Sequence, residues 1–279
     1  MQDRLDTLRS LLFAPASDLS KAAKAFASSA DAVILDLEDA VLPNHKSAAR
    51  ADAMRFRQPS PGALLMVRVN AVGTEWFADD MSAVGESEAD AIVLPKADAK
   101  AVEHLAEDGI PVLALIETAT GLRDVWTVAE HPRVFCLFLG GVDLAADLGL
   151  EPRSDGLELL HARSSLVVAS AAANLRPPVD VVQVDFRNDA VLTRECGMAR
   201  SLGFGAKACI HPAQVEIVNR EFSPSPEECS AALAIVEAFD RAQASGSGLI
   251  VVDGKMVDLP VVRRARGVLR RAHADARTP

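Results

Sequence analysis

Eight short, nearly continuous apolar runs separated by stretches of helical patterning constrain this chain's fold more than any other feature. The runs occupy residues 10–15, 32–38, 64–70, 91–96, 111–117, 134–142, 181–186 and 206–211. Each is dense in Val, Ile, Leu or Ala, as strands of a parallel sheet buried on both faces must be. Strand runs alternating with helical ones specify βα units, and eight such units predict an α/β fold, a (β/α)8 TIM barrel over residues 1–222. Helices are predicted over 19–29, 46–54, 77–85, 100–108, 121–130, 157–174, 189–202 and 213–220. The Ser-Pro-Ser-Pro break at 223–226 then stops the pattern. A helix over 227–244, a β-like run over 249–253, a Gly254-Lys255 turn and a basic helix over 260–274 follow. These exceed what eight βα units need, so residues 223–279 are expected to form an appended C-terminal helical arm.

With 49% apolar residues the chain can fill such a core, while a formal charge of −10 excludes the basic footprint that nucleic acid or an anionic membrane requires. No tyrosine and few aromatics also argue against a platform for stacked bases. The cysteines Cys136, Cys196, Cys209 and Cys229 show no C-x-x-C spacing and are expected to be reduced and mostly buried. No apolar run approaches the roughly 18 residues of a membrane span, and no secretory signal is visible, so a cytoplasmic protein is expected.

Polar residues collect where the strand runs end, the catalytic face of barrels of this type. They are Asp36, Glu38 and Asp39, then Arg68 and Asn70, Lys96, Glu117, Asp143, Asp185 and His211. A carboxylate at the end of a buried strand costs several kcal/mol unless positive charge meets it, from a hard divalent cation, a substrate or an ion pair. Glu117 and Asp143 each close or follow an apolar run and therefore mark a candidate cation site, with ion pairs to Lys96 or Arg68 as the alternative. Arg68 can grip a substrate carboxylate or neutralise the Asp36, Glu38 and Asp39 cluster, and Lys46 and Arg50 can pair with the same cluster. His211 before Pro212 can be a turn histidine, Asp258 before Leu259-Pro260 a helix cap, and the arginines between 263 and 271 a solvated helix face.

The motifs Arg9-Ser10-Leu11-Leu12-Phe13-Ala14-Pro15, Asp36-Leu37-Glu38-Asp39-Ala40-Val41, Val67-Arg68-Val69-Asn70, Leu94-Pro95-Lys96, Ile116-Glu117-Thr118, Gly140-Gly141-Val142-Asp143-Leu144, Cys209-Ile210-His211-Pro212 and Gly254-Lys255-Met256-Val257-Asp258 occur in order along essentially the whole chain. In them the chain resembles the citrate lyase β-subunit-like family of the HpcH/HpaI aldolase superfamily, which includes malyl-CoA, citramalyl-CoA and citryl-CoA lyases. The resemblance implies a Mg2+-dependent lyase, with Mn2+ as an alternative ion, that cleaves or forms a bond between a 2-oxo acid and the α-carbon of a CoA thioester. It implies Glu117 and Asp143 as metal ligands, Arg68 as the oxo-acid grip, and Phe13, Lys24, Val142, Asp143, Ile210 and His211 as substrate contacts. Asp258 is implied as the acid/base, carried on the arm into a neighbouring subunit of a homotrimer or hexamer. Asp36, Glu38, Asp39 and Lys96 are read as surrounding and orienting the site.

The chemistry suits these residue types. Cleavage leaves negative charge on oxygen; Mg2+ binds through few carboxylates plus water and substrate oxygens, polarises the nascent carbonyl, and an arginine adds a bidentate grip. One departure stands out: CoA-dependent relatives often carry an arginine shortly after the Phe-x-Pro motif, and here Phe13-Ala14-Pro15 is followed by Ala16-Ser17-Asp18, where an aspartate repels a phosphate. An acyl-carrier-protein thioester, a class II pyruvate aldolase acting on a free 4-hydroxy-2-oxo acid, and a non-catalytic binding subunit are the alternatives.

Overall fold

The computed structural model describes residues 2–5, 7–56, 62–244, 250–252 and 254–275. Eight strands, β1 Ser10–Pro15, β2 Ala32–Asp36, β3 Leu64–Arg68, β4 Ala91–Leu94, β5 Val112–Ile116, β6 Val134–Leu139, β7 Val179–Asp180 and β8 Ala206–Cys209, follow one another round a closed parallel barrel, as the sequence predicts. The helices of this unit are α1 Gln2–Leu5, α2 Leu19–Phe26, α3 Lys46–Arg55, α4 Phe77–Gly85, α5 Ala99–Val102, α6 Ala119–Arg123, α7 Val125–Ala129, α8 Gly141–Leu148, α9 Leu160–Ala172, α10 Asp189–Leu202 and α11 Val215–Phe222. The chain divides into two compact units, Met1–Phe222 and Ser223–Pro279.

The alternation of side chains along each strand sorts the apolar residues into two cores. Ala32 and Ile34 of β2 point inward with Leu11, Met66, Val93, Leu113, Cys136 and Phe138. Val33 and Leu35 point outward and pack under the helices with Val67, Ile92, Leu137 and Leu166. Both faces are dry, which is why the runs read as continuous rather than alternating.

Several boundaries differ from the sequence prediction. The sixth run stops at Leu139, because Gly140 caps and Gly141 begins α8, so Asp143 lies in a helix turn and not on a strand extension. The seventh strand is Val179–Asp180 instead of 181–186: beyond it the Gln183 carbonyl accepts the Gln214 side-chain amide rather than a strand partner. Gln214 also receives the amides of Ile210 and His211, ending β8 at Cys209. The helix expected over 100–108 is a single turn, and that over 121–130 breaks at Asp124. α1, which the sequence reading lacks, puts Leu5 in the inward core.

Asp180 and Lys207, paired in register on β7 and β8, both point into the helix layer and are fully buried. Asp180 accepts from Arg163 of α9 at 2.9 Å and from Lys207 Nζ at 3.0 Å, and Glu195 of α10 lies 3.2 Å from the same ammonium. Two cations hold the Asp180 carboxyl below its ordinary range against the opposing effect of burial. The cysteines Cys136, Cys196 and Cys209 are buried free thiols, and Cys229 is partly buried.

The second unit comprises α12 Pro226–Ala244, a hairpin of β9 Ile250–Val252 and β10 Lys255–Val257, and α13 Leu259–Asp275. Phe239, Val257 and Val262 form its small core, and Arg266 pairs with Asp240 at 2.8 Å. Leu249 and Asp253, the ends of the β-like run read from the sequence, lie outside the described residues. Among the described residues no helix is long and apolar enough to cross a membrane.

Removing one partner of a buried ion pair strands the other charge, so Asp180→Ala should lower unfolding stability by about 3–5 kcal/mol in urea titrations. The double change with Lys207→Met should recover only part of that loss, because buried Arg163 still lacks its carboxylate and Glu195 loses its ammonium.

Candidate active site

At the carboxyl ends of β2 to β5 the sequence-predicted charges converge. Asp36, last residue of β2, stands in register with Arg68, last residue of β3. Arg68 Nε and Nη2 each donate to an Asp36 oxygen at 2.7 Å, a bidentate clamp. Its Nη1 lies 3.1 Å from Glu38 Oε2 and 3.3 Å from Asp39 Oδ2. Asp36 also accepts the amides of Glu38 and Ala40, so it fixes the turn that presents the acidic cluster. Lys46 braces the same turn by donating to the carbonyls of Leu37 and Glu38. Arg50 does not join it: its Nε donates to Asp80, which also holds the Asn70 amide and side chain.

Lys96, two residues beyond β4, adopts φ of +48°, a left-handed backbone that costs a non-glycine residue roughly 1–2 kcal/mol. The conformation places its amide 2.9 Å from Glu117 Oε1, while its ammonium reaches Glu38 Oε1 at 2.5 Å and lies 4.0 Å from Glu117. Burial tends to lower the ammonium's pKa, but the bond to Glu38 and the charges of Glu38 and Glu117 outweigh it and raise the value. Glu38 is likewise shifted upward, by burial more than Arg68 and Lys96 can offset, and its Oε2 accepts no hydrogen bond despite the nearby guanidinium.

Glu117 follows β5 and is 2% exposed. Burial first, and the charge of Glu38 second, push its carboxyl up to about 8. The space beside it is made by Gly140: a Cβ there would stand 2.5 Å from Glu117 Cβ and 2.9 Å from Oε2. The Gly140 amide donates to Ile116 O at 3.0 Å, which ties the start of α8 to the end of β5. Asp143 lies in the first turn of α8 with its side chain exposed, where a helix N-terminus favours negative charge.

These donors fit a hard cation. A buried carboxylate held away from ionisation lacks positive charge, and a glycine keeps the volume at its oxygen open. Among the described residues no three His, Cys, Asp or Glu side chains gather as a metal cluster. A cation at Glu117 and Asp143 would take two protein carboxylates and leave its other positions to water or substrate, the coordination Mg2+ prefers.

The remaining predicted residues lie on other elements of the barrel unit, except Asp258. The Phe13 ring lies 5.2 Å from the Arg68 guanidinium and 6.1 Å from the Phe138 ring. Lys24 is exposed in the last turn of α2, and Asp18, the unexpected aspartate, caps that helix by accepting the Lys21 amide and pairing with its ammonium at 3.4 Å. Val142 is 50% and Ile210 41% exposed. His211 caps the turn at Pro212 by accepting the Ala213 amide through Nδ1, and its ring stacks on Phe186 at 4.6 Å. Sequence reading misses Phe186 because it assigns this residue to a strand. The exception is Asp258, which belongs to the second unit, where Oδ1 accepts the Val261 amide at 3.3 Å and caps α13. Asp185, expected at a strand end, lies exposed in the loop after β7.

Fold and rim define the class: a (β/α)8 barrel with a cluster of acidic and basic side chains at the carboxyl ends of its strands. Residues 9–212 match the family described as HpcH/HpaI aldolase/citrate lyase. The chain is similar to the (3S)-malyl-CoA thioesterase of Cereibacter sphaeroides strain KD131, 40% identical over 99% of this chain and 98% of that protein. It is also similar to the citrate lyase subunit beta of Escherichia coli K12, 33% identical over 97% and 95% of the two chains. The crystal structure of CitE from Mycobacterium tuberculosis in complex with magnesium, acetoacetate and coenzyme A superposes with a TM-score of 0.82 at 35% identity, covering 97% of this chain and 99% of that one. The chain belongs to the HpcH/HpaI aldolase/citrate lyase family, and it is an enzyme of the carbon–carbon lyase class.

Two outcomes follow from the geometry. Gly140→Ala should displace the Glu117 carboxylate and weaken Mg2+ binding in calorimetry by about ten- to a hundredfold, the usual penalty for disturbing a ligand's support. Folded Glu117 keeps its proton up to about 8, whereas an ordinary glutamate loses it near 4.5. The folded state thus binds the extra proton in that window, and stability falls as pH rises through it. In metal-free protein Glu117→Gln should flatten this slope and raise the urea midpoint above wild type at pH 8.

Proposed function

We propose that the protein is a Mg2+-dependent lyase that cleaves, or in reverse forms, a 3-hydroxyacyl-CoA of the malyl-, citramalyl- or citryl-CoA kind, giving an acyl thioester and a 2-oxo acid. The observation that carries this reading is the buried Glu117 in the Gly140 cradle, with Asp143 one helix turn away on α8. Relatives named for malyl-CoA and citrate, matched over almost their full length, support it.

In this reading Glu117 and Asp143 hold Mg2+, which when bound supplies Lewis-acid polarisation of substrate oxygen. Arg68 meets the oxo-acid carboxylate through Nη1, which exchanges its contacts to Glu38 and Asp39 for the substrate, while Asp36 holds the other two nitrogens and sets the angle of the grip. Lys96 aims Glu117 through its amide and balances Glu38 through its ammonium. Phe13, Lys24, Val142, Ile210 and His211 line the thioester's path. Asp258 moves the proton at the thioester α-carbon from the arm of a second copy, in a homo-oligomer, a trimer or hexamer, held in the cytoplasm. The apolar residues Val251 and Met256, 72% and 65% exposed beside Asp258, support burial against another chain.

A second reading has its own support. Similarity to a (3S)-malyl-CoA thioesterase favours hydrolysis, in which water cleaves the C–S bond and yields malate and CoA. The products decide between the two: with malyl-CoA and Mg2+, lyase action gives acetyl-CoA and glyoxylate, while hydrolysis gives malate and free thiol. Cleavage of a free 4-hydroxy-2-oxo acid alone would overturn both. Asp258→Asn should reduce lyase turnover about 10²- to 10⁴-fold, the range for a lost general acid/base, with Mg2+ affinity retained. Undiminished turnover would return Asp258 to its role as a helix cap.

A further inference from the structure

We infer that the amino-terminal face of the barrel carries a binding site for a small organic anion, a carboxylate or a phosphate ester, held by Arg133 and Arg176 in the cavity beneath β5 and β6. This site lies at the opposite end of the strands from Glu117 and is independent of the lyase reading.

The cavity measures about 440 Å3 and lies where β5 and β6 start: Pro111 precedes the one strand and Val134 begins the other. The five residues of β5 put roughly 16 Å between it and the Glu117 end. A bulge shapes its wall. Val112 pairs with Val134 and Leu113 with Cys136, so Phe135 is an extra residue on β6, and it lines the cavity. Bulges re-aim a side chain and recur beside functional sites. Gly109, at φ of +123°, turns the chain past Arg133, and a Cβ there would stand 3.4 Å from the guanidinium carbon.

What distinguishes the cavity is the state of its two arginines. Arg68 and Arg163, the other buried arginines among the described residues, meet Asp36 and Asp180, and the partly buried Arg9 and Arg50 meet Asp31 and Asp80. Arg176, 8% exposed, instead donates from Nη1 to the Leu5 carbonyl at 2.9 Å and from Nη2 to the Leu8 carbonyl at 2.8 Å, and its buried Nε has no hydrogen-bond partner. Arg133 gives both Nε and Nη2 to one carbonyl, that of Ile110, at 2.9 and 2.7 Å. Among the described residues neither forms an ion pair, in a chain whose formal charge of −10 leaves carboxylates in excess. Carbonyls satisfy N–H groups but leave the positive charge uncompensated, and a charge withdrawn from water is unfavourable until a counter-charge meets it. Burial, the larger effect, pulls the Arg133 guanidinium below its usual range, and the charge of Asp108 offsets only part of this. An anion supplies the missing charge, and the guanidinium N–H groups left over by the carbonyls match carboxylate or phosphate oxygens. Val134, Phe135 and Leu175 add apolar lining for a short carbon skeleton. Glu107 and Asp108, exposed on the same lining, repel further negative charge and so select against a polyanion.

Calorimetric titration of the full-length, metal-free protein with inorganic phosphate and, separately, with acetate, at constant ionic strength, tests the site. Arg133→Gln keeps a donor for the Ile110 carbonyl and removes the charge; it should weaken binding of the preferred anion about tenfold, the scale of one lost charge-assisted hydrogen bond. Asp108→Asn, an exposed change that leaves both arginines in place, should tighten binding about two- to fivefold by removing a like charge. An anion held at Arg68 on the opposite face responds to neither substitution. Tighter binding of phosphate than of acetate assigns a phosphate ester to the cavity, and the reverse assigns a carboxylic acid. No binding of either anion by the wild type, or affinities that neither substitution moves, would overturn the site. If Arg133→Gln fails to fold, Asp108→Asn decides alone: tightening upholds the site and an unchanged affinity refutes it.

Discussion

The rim of this barrel depends on one carboxylate held where it is reluctant to ionise. Glu117 is buried at the end of β5, with Glu38 close enough to repel it, and the Lys96 amide, its more distant ammonium and the Arg68 charge relieve it only in part. Burial and the charge of Glu38 push it up to about 8; in the proposed role a divalent cation would displace that proton and take the carboxylate as a ligand. Metal binding at this carboxylate would be coupled to loss of the proton, and the surrounding residues fix the carboxylate's position.

That poise is assembled from three neighbouring strand ends. Asp36 fixes Arg68, Arg68 and Lys96 share Glu38, and Lys96 bends its backbone into the left-handed region to present an amide to Glu117. Strain of this kind persists only where its surroundings over-determine it. Here the barrel supplies the constraint, because β4 and β5 are laddered neighbours and the missing Cβ of Gly140 leaves room for the Glu117 side chain in that position. A loop-borne site of the same residues would relax.

Much of this is legible in the chain itself. The eight runs specify the barrel because both of its faces are dry, and the acidic strand ends stand out against those runs. Legibility fails where side chains escape the pattern. Asp180 and Lys207 sit inside β-like sequence, and only their outward direction and register show that they compensate each other. Asp143 reads as the end of a strand because Val-Phe-Cys-Leu-Phe-Leu-Gly-Gly-Val looks continuous, yet two glycines turn the chain into a helix. Phe186 passes as strand for the same reason, since a glutamine some thirty residues away takes the hydrogen bond that would have extended the ladder.

The sequence by itself determined the class of fold, the sign of charge on one rim and the family motifs, because periodicity, composition and local spacing are properties of neighbouring residues. Tertiary structure decided which charges meet. Arg68 is committed to Asp36, Lys96 to Glu38 and Glu117, Arg50 to Asp80, and Asp18 to its own helix, and each choice is made by register and burial across the folded chain. Coulomb energies depend on distances that only the closed barrel sets, so the difference between a surface ion pair and a buried carboxyl that holds its proton is written in the packing rather than in the motif.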